Sequence, residues 1–263
     1  MDLRPLLPLM VTFVEPPRRG RPARHPVEAL RTRLWFHVVK MRSGLNSAYA
    51  LERLFDGDLV KREQGQIHRP RKWDAYEKGA KSPAGMPGKR NAVDMADERF
   101  PGTAAWFHHP IWQAITAAHM TQQEVDAGML ALGIEVVELL YHRPEFHEGK
   151  RLQQRQLDEP HLRCLGQHGT FDALAAAVLL VRQSDLIGSP ELREWALACY
   201  GQLQPQVAVL PEVEPFFAEL YSAIDKACPH WVFAAPNQRL SMTMFWQAMP
   251  WYQRYRAERG LVE

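Results

Sequence analysis

The sequence predicts a mostly α-helical protein, with a basic N-terminal helical region behind an extended arm and a neutral-to-acidic helical body after it. Three features point there. Apolar residues recur three and four apart, the spacing that gathers them on one face of a helix. Pro, Gly, Ser and Thr stand where helices start and stop. Charge is divided: residues 1–120 hold 20 Lys/Arg and 12 Asp/Glu, residues 121–263 hold 12 and 18, so +8 and −6 lie behind the net +2. With 46% hydrophobic and 24% charged residues over 263 positions, wholesale disorder is excluded, and the chain can bury one large core or two modest ones.

Residues 1–25 read as an apolar tail and a basic arm. Leu6 to Val14 is apolar apart from Thr12 and is expected to dock on the body. It contains Pro8 and runs into Glu15-Pro16-Pro17 rather than a small-residue cleavage site, so it does not read as an export signal and a cytoplasmic location is expected. Pro16 to His25 holds three prolines and four arginines with almost nothing to bury, which favours an extended chain.

Residues 26–118 read as a basic helical domain. Pro26 suits a first helical turn, Val27, Leu30, Leu34, Val38 and Met41 form an apolar stripe, and Gly44 ends the helix. Arg31, Arg33, Lys40 and Arg42 fall on the opposite face. Asn46 or Ser47 caps a second helix over Ala48–Phe55, closed by Asp56-Gly57. Asp58–Pro70 reads as a loop, Pro70–Gly79 as a third short helix, and Ala80–Arg90 as a surface loop. Val93, Met95, Ala96 and Phe100 mark a further helix. Thr103 is expected to cap the next, which Pro110 interrupts before Ile111, Trp112 and Ile115 seal the region.

Residues 119–263 read as an all-α partner or oligomerisation domain. Thr121-Gln122-Gln123-Glu124 is a capping box. Val125, Met129, Leu132, Val136, Leu139 and Leu140 extend that helix toward Pro144, and Asp158-Glu159-Pro160 marks a break. Thr170 caps Phe171–Ser184, apolar nearly all round and so a central core helix. Ser189-Pro190-Glu191 starts the next helix. Val207–Leu210 reads as a short strand, Pro215–Lys226 as a helix, and Leu240–Arg259 as an aromatic-rich end that closes the core or meets a partner. Roughly nine or ten helices are expected, with boundaries good to about two to four residues.

The motif with the most specific chemistry is Arg19-Gly20-Arg21-Pro22, flanked by Arg18 and Arg24. The narrow minor groove of A·T-rich DNA is strongly negative and draws arginines inward. A chain lying on its floor needs no Cβ at closest approach, which Gly20 supplies, and an extended backbone, which Pro22 favours. The stretch resembles the AT-hook, whose core is Arg-Gly-Arg-Pro. That resemblance implies minor-groove contact by Arg18, Arg19, Gly20, Arg21, Pro22 and Arg24.

From Arg18 to Arg90 there are 18 Lys/Arg and 7 Asp/Glu, a net +11 over 73 residues. Such a surface supplies phosphate contacts whatever the base sequence. Its candidates are Arg31, Arg33, Lys40, Arg42, Arg69, Arg71, Lys72, Lys78 and Lys81. Gly44–Arg53 followed by Trp73–Pro83 resembles the Xre-type helix-turn-helix regulators, which implies that the segment around Arg71–Lys78 enters the major groove.

No catalytic residue, metal or cofactor is expected. Cys164, Cys199 and Cys228 are far apart and expected to be buried free thiols. His108 and His109 are adjacent and point apart on a helix, while His142 and His147 flank Pro144. Glu135/Glu138 and Glu145/Glu148 read as surface carboxylates, and no nucleophile elbow, phosphate loop or dinucleotide fingerprint occurs. No apolar run reaches the roughly 18 residues of a membrane helix. The expected function is a non-catalytic DNA-binding regulator or accessory protein. Its partners are A·T-rich double-stranded DNA and a second copy or another protein bound through residues 121–263. The alternative is an all-helical scaffold whose basic face binds an acidic protein.

Overall fold

A computed structural model describes residues 25–63, 66–85, 90–142, 153–155, 157–228, 231–235 and 238–241. The tail, the arm and most of Leu240–Arg259 lie outside them. Twelve α-helices occur among these residues, with three short antiparallel hairpins.

Helix α1, Pro26–Ser43, begins where Pro26 follows a His25 cap whose Nδ1 accepts the Val27 amide, and it stops at Gly44 in the left-handed region. Val27, Leu30, Leu34 and Val38 are buried as their spacing requires, but Met41 is exposed. A second face, Trp35, Phe36 and Val39, is buried as well. These two faces enter different clusters of core residues, and α1 belongs to both.

The smaller cluster gathers α2 (Ala48–Asp56), α3 (Lys72–Glu77), α4 (Ala92–Arg99) and α5 (Thr103–Phe107) around the Trp35 face. Trp73 stacks between Trp35 and Phe55, at centroid distances of 6.1 and 4.8 Å. Asp58–Pro70, expected as a loop, contains a hairpin of β1 (Lys61–Glu63) and β2 (Gln66–His68), with Lys61 opposite His68. Three paired residues per strand are too few to show as alternation in the sequence. Thr103 does not cap α5. Gly102 takes that place with φ +87°, and the Asp97 carboxylate accepts the Ala104 amide from α4.

The larger cluster surrounds α10, Phe171–Ile187, in which every residue from Ala173 to Val181 is buried. Around it pack α6 (Pro110–Thr116), α7 (Gln122–Leu130), α8 (Ile134–Leu140), α9 (Glu159–Gln167) and α11 (Pro190–Val207), and α12 (Phe217–Ala227) joins them against α6. Ile111, Trp112, Ala114 and Ile115 of α6 side with this cluster, as do Val27, Leu30, Leu34 and Val38. Its core therefore draws on residues from both sides of position 118.

Three expectations change. The helix from the capping box to Leu140 is two helices, because Gly133 starts α8 after a turn at Ala131–Leu132. Asp158-Glu159-Pro160 does more than break the chain: the Asp158 carboxylate caps α9 by accepting the His161 amide. Val207 is the last residue of α11 rather than a strand, since among the described residues no strand pairs with Val207–Leu210, and Ala208 and Leu210 are tied back into the helix end and its turn. The remaining hairpins pair β3 (Tyr141–His142) with β4 (Gln153–Gln154), and β5 (Trp231–Ala235) with β6 (Gln238–Ser241). Among the described residues no helix is long and apolar enough to cross a membrane.

Candidate nucleic-acid interface

Arg18, Arg19, Gly20, Arg21, Pro22 and Arg24 lie outside the described residues, which begin at His25. The arm therefore enters the fold at the N-terminus of α1, and the cations behind it divide into two groups.

The first group is held by the protein itself. Arg31 lies 3.9 Å over the Phe107 ring, donates to the Phe107 carbonyl and pairs with Glu28. Arg33 reaches across to Glu219 on α12. Arg69 sits between Glu52 and Asp74, at 2.7 Å from each, and Lys72 Nζ lies 2.6 Å from Asp56. Glu52 is fully buried and also accepts the Lys72 amide at 2.9 Å. A buried carboxylate needs such partners, and its hydrogen bond is the largest influence raising the Arg69 pKa further. Arg69 and Lys72 tie the segment leading into α3, and α3 itself, onto α2. Trp73 and Tyr76 of α3 are buried, so within 71–78 the exposed residues are Arg71, Glu77 and Lys78.

The second group shows no ion pair among the described residues: Lys40, Arg42, Arg53, Lys61, Arg71, Lys78 and Lys81. Lys40 and Arg42 lie in the last turn of α1, where helix carbonyls favour cations. Arg71 has φ 55°, rare for a residue with a side chain, and stands exposed just before α3. Lys78 and Lys81 bracket the turn after α3. That turn is pressed against α1: Gly79 has φ +66°, and a Cβ there would lie 2.7 Å from the Ala29 carbonyl oxygen. Ala29 is four residues past His25, about 6 Å along a helix rising 1.5 Å per residue. Two exposed lysines thus flank a turn packed within two helical turns of the arm's root.

Arg53 and Lys61 were not singled out in the sequence. They line a groove of about 460 Å³ with Tyr49, Val60 and Ile67, between α2 and the β1–β2 hairpin. Tyr49 and Arg53 are four apart on α2, a spacing that could have paired them. Lys61 could not be placed without the hairpin.

Elsewhere the chemistry is structural. His109 Nδ1 accepts the Ile111 amide at the start of α6, and its Nε2 lies 3.1 Å from Asp172. That hydrogen bond is the main cause holding the Asp172 carboxyl below its ordinary value, with the charge attraction of His109 and the Gly133 amide adding to it. Cys199 and Cys228 are buried, and burial pushes their thiols up to about 12 and about 11. Cys164 is exposed, unlike the expectation for all three cysteines, because its position on α9 faces away from buried Leu162 and Leu165. Glu135 and Glu138 are exposed on α8, while Glu145, Glu148 and His147 lie outside the described residues. Among the described residues no three His, Cys, Asp or Glu side chains are grouped to hold a metal. No protein-family model matches the chain, and no curated protein or solved structure matches it either.

Proposed function

We propose that this protein binds double-stranded DNA as a non-catalytic regulator or accessory factor. The Arg19-Gly20-Arg21-Pro22 arm reads an A·T-rich minor groove, and Lys78 and Lys81, with Lys40, Arg42 and Arg71, hold phosphates. One observation carries this: the turn bearing Lys78 and Lys81 packs on Ala29, within two helical turns of the residue where the arm joins α1. An arm in the minor groove and lysines near its root can then engage one duplex. Arg31, Arg33, Arg69 and Lys72 are committed to internal partners, so they position this surface rather than contact DNA. Residues 121–263 would supply a dimer or partner surface.

A mobility-shift series comparing A·T-rich with G·C-rich duplexes across a salt range tests the proposal. Arg19→Ala/Arg21→Ala is expected to remove the A·T preference. Lys78→Ala/Lys81→Ala is expected to leave the preference intact and to lower the salt slope by about 1.8, at roughly 0.9 per lost phosphate contact. An arm variant with unchanged affinity and preference rules out minor-groove reading. Failure of any duplex to bind at low salt rules out DNA as the partner and favours an acidic protein on the basic face.

A further inference from the structure

The groove between α2 and the β1–β2 hairpin differs in composition from the arm. Tyr49, Val60 and Ile67 give it an aromatic and aliphatic lining, and Arg53 and Lys61 place two exposed cations on it. Ile67 is 42% exposed, on a hairpin whose other described side chains are polar or charged. Arg69 lies 5.3 Å from the Tyr49 centroid and is itself anchored to buried Glu52, so one face of the ring is met by a fixed cation.

We infer that this groove takes one nucleotide of a single-stranded nucleic acid, with the base against Tyr49 and Ile67 and the flanking phosphates on Arg53 and Lys61. The groove's volume of about 460 Å³ falls in the range of small-molecule sites, roughly 300–1,000 Å³. The need for a free base face against Tyr49 decides between strand types. In a duplex the bases are stacked and paired, and none can enter a pocket unless it is flipped out at a cost of a few kcal/mol. A single strand presents its bases freely, and an aromatic shelf beside cations is the usual way of holding it. An acidic peptide could satisfy Arg53 and Lys61, but only one that also carried an aromatic side chain would match the Tyr49 ring, whereas every nucleotide brings a base beside its phosphate. The inference extends the DNA-binding proposal by giving the basic region a second, strand-selective site.

The test uses the full-length protein and fluorescence anisotropy with labelled dT12, U12, an A·T-rich duplex and a Glu-rich peptide. The expected result is binding of dT12 or U12, weakened about tenfold by Tyr49→Ala, as loss of one base stack implies. Arg53→Ala/Lys61→Ala, at two exposed positions that leave the core intact, is expected to lower the single-strand salt slope by about 1.4, at roughly 0.7 per phosphate. Comparing dT12 with U12 assigns DNA or RNA. Arg19→Ala/Arg21→Ala is expected to weaken binding of the A·T-rich duplex while single-strand binding persists, which separates the two sites. The inference is overturned if dT12 and U12 binding is unchanged in both groove variants, if neither strand binds while the duplex does, or if the Glu-rich peptide binds and is lost in those variants instead. If neither strand nor duplex binds, both proposals fall together.

Discussion

Two glycines with the same φ separate strain from close approach. Gly188 ends α10 at φ +66° with nothing within 4 Å of a Cβ added there. Gly188→Ala is therefore expected to cost about 1–2 kcal/mol, the left-handed penalty alone. Gly79 has the same φ, but its Cβ would meet the Ala29 carbonyl oxygen at 2.7 Å and Ala29 Cα at 3.1 Å. Backbone cannot swing aside as a side chain can, so Gly79→Ala is expected to cost a further ~1–3 kcal/mol from forced separation. Urea unfolding of the pair checks this; equal losses would mean that the turn does not press on α1. A second residue-scale prediction concerns Asp172, whose folded-state pKa is depressed chiefly by His109. A depressed carboxylate contributes stability that is complete above its unfolded pKa, near 4, and is lost as pH falls through the lower folded value. Stability of the wild type should thus fall below about pH 4 more steeply than that of Asp172→Asn. Parallel pH profiles of the two proteins would show instead that the His109 contact contributes nothing.

At the scale of elements, helix ends decide more than helix interiors. Arg182, on α10, donates to the Ala114 and Ala117 carbonyls, each at 2.9 Å, and so closes the C-terminus of α6 from another helix. Arg182→Ala leaves both carbonyls to find new donors and is expected to destabilise by roughly 2–3 kcal/mol, with Arg182→Lys recovering only part because one ammonium lacks the forked geometry. A loss under about 0.5 kcal/mol in urea unfolding would show that water replaces the guanidinium. Ends closed by neighbouring residues were legible in the sequence: the Thr121–Glu124 box, the Thr170 and Ser189 caps, Gly44 and Gly79. Ends closed from afar were not. The Asp97 carboxylate that starts α5 and the arginine that ends α6 become neighbours only in the folded chain. The same limit applied to the candidate site. Net charge around Arg71–Lys78 was visible, but charge alone does not reveal that Arg69 and Lys72 are used up by Glu52, Asp74 and Asp56, or that Lys61 returns beside Arg53 through a three-residue strand.

For the molecule as a whole, the helix behind the basic arm gives buried residues to both core clusters. Periodicity identified one face of α1, Val27, Leu30, Leu34 and Val38; the second face, Trp35, Phe36 and Val39, was hidden because adjacent apolar residues blur a helical period. A helix buried on two sides couples the basic surface to the acidic half mechanically, whatever their charges. The larger cluster also takes Ile111, Trp112, Ala114 and Ile115 from the basic half. Residues 119–263 alone would therefore expose the surface those eight side chains cover, at about 1.5–3 kcal/mol for each large one, and would lose the carbonyls that Arg182 engages. The expected outcome is that this fragment shows no cooperative urea transition and self-associates on gel filtration. The full chain is expected to unfold in one transition, coincident by tryptophan fluorescence and far-UV circular dichroism. Leu34→Ala should shift both probes together by about 2–5 kcal/mol. A fragment that unfolds at the full-length midpoint would instead show that the acidic half stands without α1, and that arm and body are coupled only by the chain between them.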